Sequence, residues 1–164
     1  MKRIDFAAMG TQVEAWVETG GATLIEWFDE VEETCSRFLP DSELTRLNVS
    51  APGEFEVSGL MADVLAQAWE VRSLTSGLVD IGVGAAVTGW GYDRTFESVT
   101  DLASEPIGCA EPSWSVEGDT VTLGRGTRLD LGGVAKGWAC DRAVDRGLAA
   151  VVSAGGDMRS GDPE

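Results

Sequence analysis

Histidine is absent from the 164 residues, and only 12 lysines and arginines stand against 28 aspartates and glutamates, a formal net charge of −16. Without imidazole there is no Ser-His-Asp triad, no His-based zinc site and no histidine general base. A field of this sign repels a phosphate backbone, and nucleic-acid binding runs on counterion release by basic side chains. The expectation is no nucleic-acid partner. No apolar run approaches the ~18 residues that a membrane-crossing helix needs, so no membrane span is expected. The start, MKRIDFAAMG, reaches Asp5 before an apolar stretch can form; a cleavable export signal is not expected, and the compartment expected is the cytoplasm. Three cysteines, Cys35, Cys109 and Cys140, lie too far apart for a zinc motif or a disulfide framework and read as buried thiols.

What is present is an ordinary globular composition, 43% hydrophobic and 24% charged. The length suits one domain, residues 1–164. Chemistry must come from carboxylates, lysine, hydroxyls or a hard metal ion held through oxygen.

Alternation around Val13, Ala15 and Val17 predicts a strand within 3–18, bent or bulged at Gly10. Leu24, Phe28, Val31, Cys35 and Phe38 recur at helical spacing, predicting a helix over 22–38 that ends before Pro40. Asp41 or Ser42 can start a short helical turn. Residues 52–57 read as a turn and a short strand, and Ser58 can cap a helix over 59–74 that buries Leu60, Val64, Ala68 and Val71. Residues 76–93 form a glycine-rich loop, and Glu117-Gly118-Asp119 marks a hairpin within 113–131. A helix over about 133–147 turns Ala135, Ala139, Ala143 and Val144 inward; a buried strand, AAVVSA, and a closing loop follow. The order predicts an α+β fold: two layers, a mostly antiparallel sheet with packed helices.

Four constellations carry candidate chemistry, each beside a plainer reading. In LDLGGVAKGWACDRA (129–143), Asp130 ends a strand, Gly132-Gly133 open a helix, and Lys136 sits in its first turn, where the helix dipole disfavours a cation. Either Lys136 faces an anion such as phosphate, or Asp130 caps the helix and Lys136 points to solvent. In SGLVDIGVGAAV, Asp80 could bind a hydroxyl, a ring N–H or a metal, or serve only as a turn residue; the run lacks the third glycine of a dinucleotide fingerprint. In SAGGDMRSG, Asp157 and Arg159 form either a solvated ion pair or a wall of a ligand cleft. Six tryptophans (16, 27, 69, 90, 114 and 138) read mostly as core, with Trp90 suspected of lining a pocket.

Five runs in order, AAMGT (7–11), CSRFLPDSELTRLN (35–48), SGLVDIGVGAAVTGWGYD (76–93), LDLGGVAKGWACDRA (129–143) and VVSAGGDMRSG (151–161), resemble one family, the FAD:protein FMN transferases of the ApbE type. The resemblance implies an enzyme that binds FAD and Mg²⁺, splits the pyrophosphate and attaches FMN to a threonine or serine hydroxyl of a target flavoprotein. Some such enzymes mainly hydrolyse FAD to FMN and AMP, and a non-catalytic FAD-binding module is a third possibility. Carried over by motif, Met9, Phe38, Leu78, Val79, Asp80, Asp130 and Lys136 would contact FAD, with Thr11 lining the same cleft. Asp130 and Lys136 would be the catalytic pair, and Gly133 would offer its backbone carbonyl to the metal. Family chains continue past GGDMRSG into a His-Ile-x-Asp-Pro-type motif and an Asp-Ala-x-x-Thr segment with further magnesium ligands. Neither is present here, so the expected fold is incomplete at the C-terminus.

Overall fold

The structure is a computed structural model that describes residues 1–92 and 113–161. It is α+β, and every pairing between its named strands is antiparallel. The chain divides into two compact units: Met1–Glu33 with Gly132–Glu164, and Thr34–Leu131.

The first unit holds a four-stranded sheet, ordered β1 (Lys2–Ala8), β2 (Thr11–Val17), β6 (Val151–Ala154), β7 (Asp157–Ser160). The strand expected across 3–18 is two strands. Met9 (φ 51°) and Gly10 (φ 68°) both take left-handed conformations, and Ala8 pairs with Thr11, so the chain reverses instead of bulging. Positive φ at both central residues is the type I′ hairpin arrangement, matched to the twist of the flanking strands. Residues 155–156 repeat it: Gly155 and Gly156 join β6 to β7, a strand within what reads from sequence as a loop.

Helix α1 (Gly21–Cys35), whose last two residues belong to the second unit, stops before the expected boundary at 38. It buries Leu24, Trp27, Phe28 and Val31 with Val13, Ala15 and Val17 of β2. Full burial of a side chain such as Phe28 contributes about 2–3 kcal/mol. Helix α5 (Ala135–Asp145) is shorter than expected and buries Ala135, Ala139 and Ala143, leaving Val144 half-buried. The Trp27 indole N–H donates to the Ala139 carbonyl at 3.0 Å, and the Trp27 and Trp138 rings lie 5.4 Å apart.

The second unit carries a three-stranded sheet, ordered β3 (Gly53–Glu56), β5 (Thr120–Leu123), β4 (Trp114–Glu117). The 117–119 turn falls where expected, and Phe55 pairs with Val121. Helix α2 (Glu43–Ser50) begins at Ser42, whose hydroxyl accepts from the Thr45 N–H at 3.0 Å. Helix α3 (Gly59–Leu74) begins at Ser58, whose hydroxyl accepts from the Met61 N–H at 3.2 Å. Each cap satisfies a backbone donor that the first turn leaves open. Glu43 joins the two helix starts, accepting from the Ser58 N–H at 2.7 Å and its hydroxyl at 2.6 Å. The face α3 buries is Met61, Ala62, Val64, Leu65 and Ala68, with Leu60 and Val71 only half-buried. A short helix, α4 (Gly84–Gly89), stands within the expected glycine loop.

The tryptophans divide evenly. Trp27, Trp114 and Trp138 are buried, whereas Trp16, Trp69 and Trp90 are exposed, so the core reading fails for two of the five to which it applied. Cys35 and Cys140 are buried as expected; Cys109 lies outside the described residues. No described helix is long and apolar enough to cross a membrane.

Candidate functional site

Within the second unit, three of the sequence runs converge on the segment 128–130. The Asn48 side chain grips Leu129 from α2: its amide donates to the Leu129 carbonyl at 2.9 Å and its oxygen accepts the Leu129 N–H at 2.7 Å. From the other run, the Asp130 N–H donates to the Ile81 carbonyl at 2.7 Å, and the Gly84 N–H donates to Arg128 O at 2.9 Å. Gly84 is required there: a Cβ would stand 2.8 Å from Arg128 O and 3.0 Å from Leu129 C, too close for any other residue. Held by its own backbone and by its neighbours, Asp130 has a fixed starting point for its side chain.

That side chain meets Arg37, with Nε 2.8 Å from Oδ2 and both groups largely withdrawn from water. The Arg37 guanidinium lies 4.2 Å from the Phe38 ring centroid and 5.3 Å from that of Tyr92. Phe38 is not on a buried helix face, as its spacing with Cys35 implied; it lies beyond the end of α1 and is 39% exposed. Leu78 and Val79 are exposed too, Leu78 almost completely. These apolar groups at the surface are the kind that a ligand would cover.

Asp80 is held by three donors. Oδ2 accepts from Arg72 Nε at 2.6 Å, and Oδ1 accepts from the Gly82 N–H and the Trp114 indole, each at 2.8 Å. Burial pushes its carboxyl up, but the bonds from Arg72, Gly82 and Trp114, with the Arg72 charge, outweigh that and leave it below the ordinary range. Asp80 is thus held in place by three donors as a low-lying carboxylate. Neither Arg72 nor Trp114 was singled out as its partner from sequence.

The other sequence-predicted residues belong to the first unit. Met9 lies in the β1–β2 turn and Thr11 opens β2, and the Met9 N–H donates to the Glu32 carboxylate at 2.7 Å. Thr11 lies against the β6–β7 turn: a Cβ on Gly155 would meet its hydroxyl oxygen at 3.0 Å. Asp157, just past that turn, lies against α5, its carboxyl carbon 3.7 Å from where a Gly137 Cβ would be. Arg159 faces Asp141 and Asp145 of α5 at 3.8 and 3.9 Å. Lys136 is the second residue of α5, and its ammonium donates to the Gly132 carbonyl at 2.9 Å. Gly133 is exposed and open on its Cβ side.

A divalent cation finds little here. Gly133 can offer a single carbonyl, and among the described residues no group of three acidic, cysteine or histidine side chains could hold a metal ion. The described residues therefore do not make up a magnesium site, which needs about six oxygens near octahedral geometry, commonly carboxylates and waters.

Comparison with known proteins is consistent across sequence and fold. Residues 9–164 match the model of the ApbE family. The FAD:protein FMN transferase of Vibrio cholerae is 29% identical over 143 residues, and that of Haemophilus influenzae 28% over 152; each match takes in 80% of this chain and 43% of the relative. The chain thus spans less than half the length of the curated relatives it matches. Among solved structures, the ApbE protein of Thermotoga maritima superposes with a TM-score of 0.80 at 23% identity, over 99% of this chain and 59% of that one. The flavin transferase ApbE of Vibrio cholerae gives 0.79 at 24%, over 99% and 60%. With the family model matching all but the first eight residues, the chain belongs to the ApbE family.

Proposed function

We propose that the protein containing this chain transfers FMN from FAD to a threonine or serine hydroxyl of a target flavoprotein, in a Mg²⁺-dependent reaction. The hydroxyl oxygen bonds to the phosphorus of the FMN half while the bridging P–O bond breaks. AMP leaves with the bond's electrons, and the hydroxyl proton goes to solvent. Family membership across residues 9–164 is the observation that carries this reading.

In it, Asp130 and Lys136 are the catalytic pair. Asp80, Leu78, Val79, Phe38, Met9 and Thr11 contact the coenzyme. A protein of net charge −16 must hold a pyrophosphate through local cations. Lys136 is suited to that work, because among the described residues its ammonium bonds a single neutral carbonyl, which a phosphate oxygen can displace in favour of a charge-assisted bond. Gly133 would lend its carbonyl to Mg²⁺, the ion's other oxygen ligands coming from beyond the described residues.

The test is to incubate the protein with FAD, Mg²⁺ and a target flavoprotein domain, then look for flavin fluorescence on the denatured target. No labelling, where the Vibrio cholerae relative succeeds, would count against transfer. AMP and FMN released without acceptor would instead indicate hydrolysis, and FAD retention without turnover a binding module. Lys136→Ala should weaken FAD binding more than riboflavin binding, since only FAD carries the phosphates; equal losses would remove Lys136 from the phosphate role.

A further inference from the structure

The Arg37–Asp130 pair is built more tightly than a surface ion pair. The two side chains are 12% and 15% exposed, so little water screens the 2.8 Å contact. The guanidinium lies over the Phe38 ring at 4.2 Å and near the Tyr92 ring at 5.3 Å, contacts that restrict the side-chain freedom that makes most ion pairs weak. Asp130 in turn has its backbone held by Ile81 and its neighbour Leu129 held by Asn48. Arg37 adds a short ion pair to a carboxylate whose backbone is already fixed.

We propose that Arg37 is a positioning residue for the flavin site: it orients the Asp130 carboxylate toward the coenzyme and cancels its charge. The assignment rests on the proposed function, in which Asp130 contacts FAD. Its logic is electrostatic. An unpaired carboxylate beside a dianionic diphosphate ester repels it, and in a chain this acidic there is little positive charge elsewhere to compensate. Paired with Arg37, Asp130 keeps its two acceptor oxygens while the pair as a whole is neutral. Lysine would supply the charge but not a flat group that stacks on Phe38.

The experiment measures FAD affinity by flavin fluorescence anisotropy for the parent, R37K, R37Q, D130N and R37Q/D130N, each first shown to melt cooperatively. R37Q should bind FAD about tenfold more weakly, in keeping with the coupling measured between contacting charged residues. Adding D130N to R37Q should bring affinity back to that of D130N alone, because the negative charge that Arg37 offsets has been removed. R37K should fall between the parent and R37Q. A purely structural staple would be lost alike in R37Q, D130N and the double variant, lowering FAD affinity equally in all three and in step with their melting temperatures. Equal losses in all three, multiplying losses, or R37Q binding like the parent would overturn the assignment. Should R37Q fail to melt cooperatively, the decision passes to R37K: FAD binding equal to the parent's would overturn the assignment, and weaker binding that D130N relieves would uphold it. If the parent binds no FAD, the proposed function falls and this assignment falls with it; if the parent binds and Arg37 proves indifferent, only the assignment falls.

Discussion

Asn48 pairs with Leu129 as a strand residue would, its side-chain amide donating to the Leu129 carbonyl and accepting the Leu129 N–H. Its backbone carbonyl also accepts from Arg128 Nη1 at 3.1 Å. A single buried side chain at the end of α2 thereby fixes a segment 81 residues away, the one that carries Asp130. Asn48→Ala should cost about 2–4 kcal/mol, since it leaves a buried N–H and a buried C=O without partners. Urea denaturation would measure it, and a loss below about 0.5 kcal/mol, the range of an ordinary surface change, would contradict the role given to Asn48.

Met9 pays a conformational cost that Gly10 beside it does not. A φ of 51° brings its Cβ close to the following carbonyl, at about 1–2 kcal/mol for an L-residue. Glycine relieves that strain but gives back part of the gain through the freer unfolded chain. Met9→Gly is therefore expected to stabilise by about 0.5–1 kcal/mol, whereas Met9→Val, branched at Cβ, should destabilise. Strain of this kind persists where a side chain is wanted for another purpose; here Met9 is proposed to touch the coenzyme. The same Met9→Gly protein should bind FAD less well. A glycine variant that melts earlier than the parent would dispose of the strain argument.

Local chemistry was readable in advance wherever it sufficed. Ser58 opens α3, Ser42 opens α2, and Glu117-Gly118-Asp119 turns the β4–β5 hairpin, each because a short-range hydrogen bond or turn preference decides the matter. The Met9–Gly10 turn was missed because methionine is not a residue that signals left-handed backbone. Strand β7 was missed because all four residues are exposed and so show no alternation. Helix α4, six residues of mostly glycine and alanine, offers no apolar stripe to recognise. At the candidate site, the runs holding Asp80 and Asp130 could be recognised one by one. Their partners could not: Asn48 and Leu129 are 81 positions apart, Trp114 and Asp80 34 apart, and Arg37 and Asp130 meet only through the fold.

Cys35 and Cys140 should be poor nucleophiles. Burial first, then Glu43, pushes the Cys35 thiol up to about 12. Burial, with Asp157 and Asp141 adding to it and an Ala154 backbone bond opposing, pushes Cys140 up to about 11. Since the thiolate is the reactive form, iodoacetamide at pH 8 should leave both unmodified in the folded protein and modify both in urea, as peptide mapping would show. The unfolded thiols, with an ordinary value near 9.0, lose their protons first as pH rises. Stability is accordingly retained below pH 9.0 and should fall from there toward about 12. Rapid labelling of either site under native conditions would show that burial does not protect it.

Asp80 should make the protein sensitive to acid. Its folded carboxyl lies below the ordinary value of 3.8, so the unfolded chain takes up the proton first as pH falls. The stabilisation is fully present above about pH 4 and is lost as pH drops through the folded value. Asn at this position keeps an acceptor for the Trp114 indole and the Gly82 N–H, but it sets an amide NH₂ or a neutral carbonyl opposite the Arg72 guanidinium. Asp80→Asn should therefore destabilise by about 1–3 kcal/mol near pH 7, and the gap to the parent should narrow below about pH 4, as the unfolded parent takes up the proton that its folded form still refuses. Urea denaturation of both proteins at several pH values would follow that gap. A difference that stayed constant down to pH 3 would mean that Arg72, Gly82 and Trp114 hold Asp80 by shape alone, with its charge contributing nothing.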